Sequence, residues 1–547
     1  MPVSRLRSHA SRGLWLLAGT AMGVAAGAGA CGARSELDEY PQVPPEPECA
    51  VDSDCRGADD LCNPVFCDII EDAGIPDPDG GPPKVFGLCV PRTPVDCDDN
   101  DPCTNDECQS ESGKCFYSPA TLDNDGDGYR SPRVGTLPGQ PQSCGDDCDD
   151  TSAAAHPGGV EVCDGFDNDC NGVVDDDATF VPMGIETRIS GDIAPAGPGG
   201  LAYSGSSYAA VYMGETSGFD VYLSMLDDAG QKLPPGEQLL TLKDADGSGG
   251  PIVWVGDRYG VAWQDRRDAD YEVYFTLLKE TGEKAIADQR LSFANGFSVN
   301  VSMAWNGAEF IVVWQDERFG FFNLVGQRVG VDGAPIGSNV ELTSDQQGFG
   351  NEAPSVAAGL KGIGVAWALG DAYTHIIQFQ TFDPTLSPMS SPVIIADGST
   401  ESVYPSVVWN KDRYVVSWYD KTASPKAIYA AVLGEDGSVI VPATAISQPG
   451  PFRSRYPFMR PLGDRVLFLY ADDRDQNDGY ELYARMVGSD LTPLGPEQRL
   501  TNAPKDSISP VAAFGPDGTV GVLFRDDREN GEPHVWFTGL GCVSAAR

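Results

Sequence analysis

Short runs of alternating hydrophobic and polar residues fill most of the chain after residue 185, and the pattern is clearest over residues 301–344. Four runs rich in Val, Ile and aromatic residues can be separated there, and they lie at residues 302–305, 310–315, 323–331 and 340–344. Asn306-Gly307 and Asp332-Gly333 separate neighbouring runs, and both dipeptides favour tight hairpin turns. Their length and residue types predict four β-strands rather than helices.

This four-strand unit recurs along the chain. An aromatic residue ends the second strand of each copy, at Tyr212, Trp263, Trp314, Trp367, Trp418, Tyr470 and Phe524. Consecutive members lie 51 to 54 residues apart. Four strands at this period are typical of a propeller blade. The sequence therefore predicts a mainly β protein with a seven-bladed β-propeller over residues 185–542.

The predicted ring needs a strand from its own beginning. Fourth strands are recognisable in six blades, around Leu240, Leu291, Leu342, Ile395, Ile446 and Leu500. The seventh copy has only three strands before the sequence ends, and residues 186–190 resemble the fourth strand near Leu500. Because an open ring would leave unpaired strand edges, we expect the first strand to complete the last blade.

Charge and cysteine content restrict the classes of function. The chain has 547 residues, with 81 acidic against 37 basic residues and a net charge of −44. A surface this acidic repels nucleic acid and anionic lipid, so we expect no nucleic-acid partner. Thirteen of the 15 cysteines lie between Cys49 and Cys170. Cysteines concentrated in a small acidic segment indicate disulfides and an oxidising compartment.

The N-terminus has the pattern of an export signal. Three arginines precede an apolar run over residues 14–30, which ends at Cys31. Residues 28–31 (Ala-Gly-Ala-Cys) resemble a bacterial lipobox, which implies lipidation of Cys31 and an outer-membrane or cell-surface lipoprotein of a Gram-negative bacterium. Ordinary signal cleavage, giving a secreted protein, is the alternative. We assign residues 1–31 to the signal and the acidic, Pro-rich residues 32–48 to a linker.

Residues 49–118 form a predicted cysteine-rich module. Few apolar residues are present, so crosslinks rather than a core must hold this part together. The run from Cys97 to Cys115 resembles cysteine-rich repeats of exported bacterial surface proteins. A zinc site is disfavoured, since it needs reduced thiolates and the module contains no histidine.

Residues 119–180 contain two acidic loops with the spacing of calcium ligands. Asp123, Asp125 and Asp127 alternate before Gly128, so that their carboxylates can converge on one ion while the carbonyl of Tyr129 adds a ligand. The second loop repeats this spacing with Asp167, Asp169, Asn171, the Val173 carbonyl and Asp175. Neither loop has the bidentate Glu of an EF-hand, so ligands must also come from Asp146, Asp147, Asp149, Asp150 and Asp164.

The whole segment closely resembles the MopE-type metal-binding motif of secreted and surface proteins from Gram-negative bacteria. The resemblance rests on the cysteines at 144, 148, 163 and 170 and on most of the aspartates, and it implies metal binding. The family name carries an association with copper. Hard oxygen ligands and a single nearby imidazole, His156, favour Ca²⁺ instead.

The cysteines of this segment are disulfide candidates, namely Cys144, Cys148, Cys163, Cys170 and the distant Cys542. Thirteen cysteines between Cys49 and Cys170 cannot all pair with one another. We therefore expect Cys542 to be linked to the N-terminal module, with Cys163 or Cys170 as possible partners.

No catalytic set is recognisable in the predicted propeller. Asp-Arg pairs follow the closing aromatic in four blades, and their regular recurrence indicates a structural ion pair. His375 and His534 are isolated in the sequence. We interpret the chain as a monomeric, calcium-binding surface lipoprotein, anchored only by lipid, that binds an unknown protein or glycan through its propeller. A secreted, sialidase-like glycan hydrolase is the alternative.

Overall fold

The computed structural model describes residues 62–63, 65–70, 86–91, 93–133, 136–138, 140, 143–161, 166–172, 178–194, 196–215, 218–242, 245–293, 295–318, 320–344, 348–371, 374–399, 401–422, 425–475 and 479–544. The predicted signal, Cys31 and the linker lie outside these residues, as do Cys163, Asp164, Val173 and Asp175. Within the described ranges no helix has the length and apolar character needed to cross a membrane.

The chain forms two compact units, and the described residues of the smaller one lie within the ranges 1–99 and 106–117. Its strands β1 (Val65–Ile70) and β2 (Phe86–Pro91) pair in antiparallel fashion. Disulfides join Cys62 to Cys108 and Cys97 to Cys115. A second hairpin consists of β3 (Thr104–Gln109) and β4 (Lys114–Pro119), and β3 alternates between half-buried and exposed positions. Crosslinks therefore do in this unit what a hydrophobic core does elsewhere.

The larger unit, residues 100–105 and 118–547, contains seven four-stranded antiparallel sheets. This confirms the predicted seven-bladed β-propeller. The first strand in the chain is β5 (Ala178–Arg188). Blades one to four follow, with four consecutive strands each: β6 (Ala196–Tyr203), β7 (Tyr208–Glu215), β8 (Phe219–Leu226), β9 (Gln238–Leu239), β10 (Ser248–Trp254), β11 (Arg258–Asp268), β12 (Asp270–Lys279), β13 (Gln289–Arg290), β14 (Ser298–Trp305), β15 (Phe310–Asp316), β16 (Asn323–Val329), β17 (Pro335–Glu341), β18 (Gly350–Ala358), β19 (Ile363–Gly370), β20 (His375–Phe382) and β21 (Val393–Ala396).

The remaining strands build blades five to seven. They are β22 (Ser402–Asn410), β23 (Arg413–Asp420), β24 (Ile428–Leu433), β25 (Val439–Ala445), β26 (Ser454–Leu462), β27 (Arg465–Asp472), β28 (Glu481–Val487), β29 (Gln498–Arg499), β30 (Ser507–Phe514), β31 (Val520–Glu529) and β32 (Glu532–Ser544). One short 3-10 helix, Pro516–Gly518, precedes β31 and is the only helical element in the described part of the chain.

The last blade has the order β30-β31-β32-β5, so the first propeller strand completes it. The strand predicted at residues 186–190 overlaps the C-terminal end of β5, which begins earlier, at Ala178. Hydrogen bonding continues past β5, because the Ile189 amide donates to the Val535 carbonyl at 2.7 Å. His534 is buried beside this junction, and its Nδ1 lies 3.2 Å from Ser190 Oγ.

Seven apolar clusters form the core, and each joins two neighbouring blades. The cluster between blades two and three, for example, packs Phe275 and Leu277 against Phe310 and Trp314. All seven repeated aromatics are buried in these clusters, and each second strand continues at least two residues past its aromatic. The aromatic periodicity of the sequence therefore marks the contacts between blades.

The register of the closing strand yields a stability prediction. Ile189→Pro should remove the amide bonded to Val535 and lower stability by about 3 kcal/mol or more, with aggregation through the exposed edge of β32. Ile189→Ala separates loss of the buried side chain from loss of the amide. Ile185→Pro is the matched control, because Ile185 is 89% exposed and lies in a register irregularity. Melting temperature and light scattering report the result. Equal melting temperatures for Ile189→Pro and Ile185→Pro would contradict it.

Candidate metal centre

The first acidic loop folds around the carboxylate of Asp123. The amide of Gly126 donates to its Oδ1 at 2.7 Å, and the amide of Gly128 donates to its Oδ2 at 3.2 Å. Both glycines have positive φ angles, 83° and 97°, which residues other than glycine rarely adopt. The Asp-x-Asp-x-Asp-Gly spacing thus closes the loop on its own carboxylates.

Three carboxylates converge in this loop. Oxygens of Asp123, Asp125 and Asp127 all lie within 4.8 Å of one another. Oδ2 of Asp125 and Oδ2 of Asp127 are buried and have no hydrogen-bond partner among the described residues. A buried carboxylate oxygen without a donor is costly unless a cation binds it. The donor set therefore fits a hard divalent cation.

Asp147 adds a fourth carboxylate next to this loop. Its side chain is fully buried, and its Oδ2 also lacks a hydrogen-bond partner among the described residues. Burial raises the pKa of the Asp147 carboxyl, and repulsion from Asp127, Asp125 and Asp150 raises it further. The Asp149 amide opposes this, donating to Asp147 Oδ1 at 2.8 Å. A bound cation would offset the repulsion between Asp147 and the three aspartates Asp125, Asp127 and Asp150.

Disulfides and one glycine hold Asp147 in place. Cys103 is bonded to Cys144 and Cys148 to Cys170, so the sulfurs next to Asp147 are not thiolate ligands. A Cβ on Gly145 would lie 2.0 Å from the Arg130 carbonyl oxygen, so only glycine allows these backbones to approach. The Asp147 amide then donates to the same carbonyl at 3.2 Å.

The second acidic loop has the same local design. Asp167 accepts from the amides of Asn171 at 3.1 Å and Gly172 at 2.8 Å. Oxygens of Asp167 and Asp169 lie within 4.8 Å of Glu161, a buried residue whose Oε1 accepts the Asp169 amide at 2.8 Å. Sequence reasoning missed Glu161. Its signal is modest, since it is an acid two residues before Cys163 in an otherwise weakly patterned stretch.

Other predicted ligands have different roles. Asp150 accepts from the amide of Asn124 at 2.9 Å, and Asp149 accepts from Thr151 Oγ1 at 2.6 Å. Asp146 is exposed and belongs to none of the three clustered groups found in the described residues. Tyr129 uses its amide to cap Asp127 and stacks its ring on His156, with centroids 4.9 Å apart. The structure therefore places the His156 ring against an aromatic neighbour.

The family model "Putative metal-binding motif" (Cu-binding MopE) matches residues 147–176. The chain carries a MopE-type metal-binding motif. The match spans Asp147, Glu161 and the second acidic loop, and it leaves the first loop outside. No curated protein matches the chain.

Several solved structures resemble the propeller at low sequence identity. The β-propeller domain of the Trilobed protease from Pyrococcus furiosus is 10% identical, with a TM-score of 0.40 over 63% of this chain and 95% of that chain. A subtype N10 neuraminidase-like protein of A/little yellow-shouldered bat/Guatemala is 12% identical, with a TM-score of 0.38 over 58% and 98%. A thermostable family-43 glycoside hydrolase is 14% identical, with a TM-score of 0.31 over 48% and 98%. At these values no function is transferred.

The two neighbouring aspartates at the start of the MopE-type motif provide a matched test. Asp147→Asn should weaken binding of a divalent cation at least about tenfold, since it removes a charged oxygen that has no other described partner. Asp146→Asn removes the same charge from an exposed position and should bind as the wild type does. Isothermal titration calorimetry on the full chain measures both. Equal affinities for the two variants would remove Asp147 from the site.

Proposed function

We propose that the protein is an exported, lipid-anchored surface protein that binds a glycan through its propeller. A disulfide-crosslinked, calcium-stabilised segment links the anchor to the propeller. The export signal, the lipobox-like Cys31, the acidic linker and the cysteine usage support the location. The propeller acts as a binding scaffold and catalyses no reaction.

Calcium is the proposed ion because of the ligand chemistry. The first loop and Asp147 offer only carboxylate oxygens, which suit Ca²⁺ better than a soft metal. Copper would favour imidazole or thiolate ligands, but His156 stacks on Tyr129 and the neighbouring cysteines are in disulfides. Calorimetric titrations with Ca²⁺ and with Cu²⁺ separate the two metals.

The proposed glycan site lies at the first strands of the blades, which are the inner strands of the propeller. A cavity of about 360 Å³ is lined by residues from blades one to five, including Gln264, Asn300 and Tyr404. Each inner strand bulges at the equivalent position, and several bulge residues adopt left-handed backbone conformations, with Asn300 at φ 54° and Tyr404 at φ 50°. Such bulges redirect side chains, and they often occur beside functional sites.

A glycan is the proposed ligand because of one feature, an aromatic cluster confined to blades five and six. Tyr404 is 54% exposed and stacks on Tyr419 at 5.9 Å with an interplanar angle of 6°. Tyr456 contacts both rings, at 6.4 Å and 6.0 Å. The cluster holds the exposed ring of Tyr404 rigidly at the cavity that Gln264 and Asn300 also line. This combination suits the apolar face and the hydroxyl groups of a sugar.

A second cavity favours the alternative, a glycan hydrolase. Its volume is about 430 Å³, and four ionisable groups line it: Glu317, Glu352, Asp371 and His375. Tyr271 and Tyr480 occupy the position of His375 in other blades, so the imidazole is specific to blade four. Paired carboxylates are what glycoside hydrolysis needs. Cleavage of a bound glycan would favour this function over binding alone.

The tyrosine cluster gives a direct test of the binding function. The purified full chain should retain glycans on an array, and Tyr404→Ala should weaken the best of them about tenfold, the value of one stacked ring. Tyr117→Ala, at an exposed tyrosine of the cysteine-rich module, is the control. Absence of any glycan binding, or unchanged binding by Tyr404→Ala, would refute the proposed site. Release of reducing ends from bound glycans would identify a hydrolase.

The anchor is tested separately. Mass spectrometry of the protein from membranes should show Cys31 as the mature N-terminus carrying acyl chains, since two chains give stable anchoring where one gives marginal binding. Cys31→Ser should release the protein from the membrane fraction. An unmodified Cys31 in the mature protein would make it a secreted protein.

A further inference from the structure

Four blades contain the same buried ion pair. In each of them an arginine lies two residues after an aspartate of the second strand, in the pairs Asp265–Arg267, Asp316–Arg318, Asp472–Arg474 and Asp526–Arg528. The N–O distances are 2.5, 2.6, 2.8 and 2.6 Å, and all four aspartates are buried. We call this arrangement the arginine clamp.

In three of these blades the guanidinium also covers an aromatic ring. Arg267 lies 4.3 Å from the centroid of Tyr274, Arg474 lies 4.5 Å from that of Tyr483, and Arg528 lies 4.4 Å from that of Trp536. An acid in the fourth strand or just before it completes each of these three clamps, Asp288 in blade two at 2.9 Å and Glu497 and Glu186 in blades six and seven. The clamp therefore fixes a planar cation between a buried carboxylate and an aromatic face.

Blade five keeps two contacts found in the blades with an arginine clamp, the serine that bonds the aspartate and the stacked aromatic pair, and we call these two contacts the frame of the clamp. Ser402 Oγ donates to Asp420 Oδ1 at 2.5 Å, as the equivalent serines of blades six and seven donate to Asp472 and Asp526 at 2.6 and 2.7 Å. Trp418 stacks on Tyr429 at 6.2 Å with an interplanar angle of 18°. The corresponding pair of blade two stacks at 6.1 Å and 19°.

Blade five has no arginine in this frame. The position two residues after Asp420 is Thr422, and Ala443 occupies the place of the fourth-strand acid. Lys421 does not substitute, since its Nζ pairs with Glu401 at 2.6 Å. No ion pair to Asp420 is found among the described residues.

A cavity of about 470 Å³ lies at this position. Trp418, Asp420 and Tyr429 line it on the blade-five side, together with Ser402, Pro425, Pro442 and Ala443, while residues 394–397 and Ser399 line the opposite side. Burial raises the pKa of Tyr429, and the carboxylate of Asp420 adds to this. Carboxylate and ring therefore face the same space.

We infer that this cavity is a binding site for a guanidinium group supplied from outside the chain, either a free guanidino compound or an arginine side chain of a partner. The group takes the place that Arg267 and Arg474 take in their own blades, paired with Asp420 and stacked on Tyr429. A guanidinium fits better than an ammonium, because it is planar, weakly hydrated and able to bond a carboxylate with two N–H groups.

Two pairs of variants isolate the site. Asp420→Asn removes the carboxylate, and Asp412→Asn removes an equal charge from an exposed turn of the same blade. Thr422→Arg supplies the arginine of the other blades within the chain, and Thr422→Gln adds a long side chain without the charge. Thr422→Arg should also raise the melting temperature, which reports clamp formation without any ligand.

The probes are N-acetyl-arginine amide, N-acetyl-lysine amide and a short peptide with one central arginine, each titrated into the full chain by calorimetry. The arginine probe should bind the wild type, Asp412→Asn and Thr422→Gln alike, and at least tenfold more weakly to Asp420→Asn and Thr422→Arg. Tighter binding of the peptide than of the amide would indicate a protein partner, and equal binding a small guanidino compound.

Three results would overturn the inference. One is no binding of the arginine probe to the wild type, and another is equal binding to the wild type, Asp420→Asn and Thr422→Arg. The third is equal affinity for the lysine probe, which would reduce the site to a general cation site. Both Thr422 variants lose the bond from the Glu401 amide to Thr422 Oγ1, so a melting temperature of Thr422→Arg at or above that of Thr422→Gln separates loss of binding from unfolding.

Discussion

Each propeller blade buries its apolar faces only against its neighbours, so the fold is stable only as a closed ring. Seven inter-blade clusters depend on this closure, and the pairing of β5 with β32 provides it. β5 also follows directly on the MopE-type motif in the chain, so that motif leads into the strand that closes the propeller. Cys542, opposite Phe180 in this pairing, is disulfide-bonded, which adds a covalent restraint at the closure. Cys170 is not its partner, since it is bonded to Cys148.

The metal-binding segment meets the opposite problem, because it has almost nothing apolar to bury. Its carboxylates close tight loops on backbone amides, and this leaves buried oxygens of Asp125, Asp127 and Asp147 without a hydrogen-bond partner among the described residues. Two disulfides close loops of 41 and 22 residues and restrict the unfolded segment. By chain entropy alone, each contributes about 3 to 4 kcal/mol to the free energy of unfolding. Crosslinks bring the acids together, and a cation removes their mutual repulsion.

The sequence predicted the features that depend on local pattern or on the repeat, and it missed those that depend on register. The closing aromatics, the seven blades and the Asp-x-Asp-x-Asp loop all follow from periodicity or spacing. The arginine that pairs with each repeated aspartate does not follow from spacing in this way. In blade two, Arg266 is next to Asp265 but pairs with Asp246, while Arg267 pairs with Asp265 and forms the clamp. In all four blades the backbone amide of the arginine two positions on donates to Oδ1 of the aspartate, and this local turn brings the guanidinium back to the same carboxylate. The tyrosine cluster was missed because it arises from contacts between distant segments, and Glu161 was missed because no regular spacing links it to Asp167 and Asp169.

Sevenfold repetition makes departures from the clamp informative, since six other blades show what the fold alone requires. Blades one and four lack the arginine and also the aspartate, having Gly214 and Leu369 in its place, so no charge is left without its counter-ion. Blade five alone keeps the aspartate and omits the arginine. The Asp420 carboxylate is half-buried, accepts the Ser402 hydroxyl and lines a cavity instead of pairing with an arginine. Its retention at Asp420, together with a cavity where the guanidinium would lie, indicates that the cation comes from elsewhere.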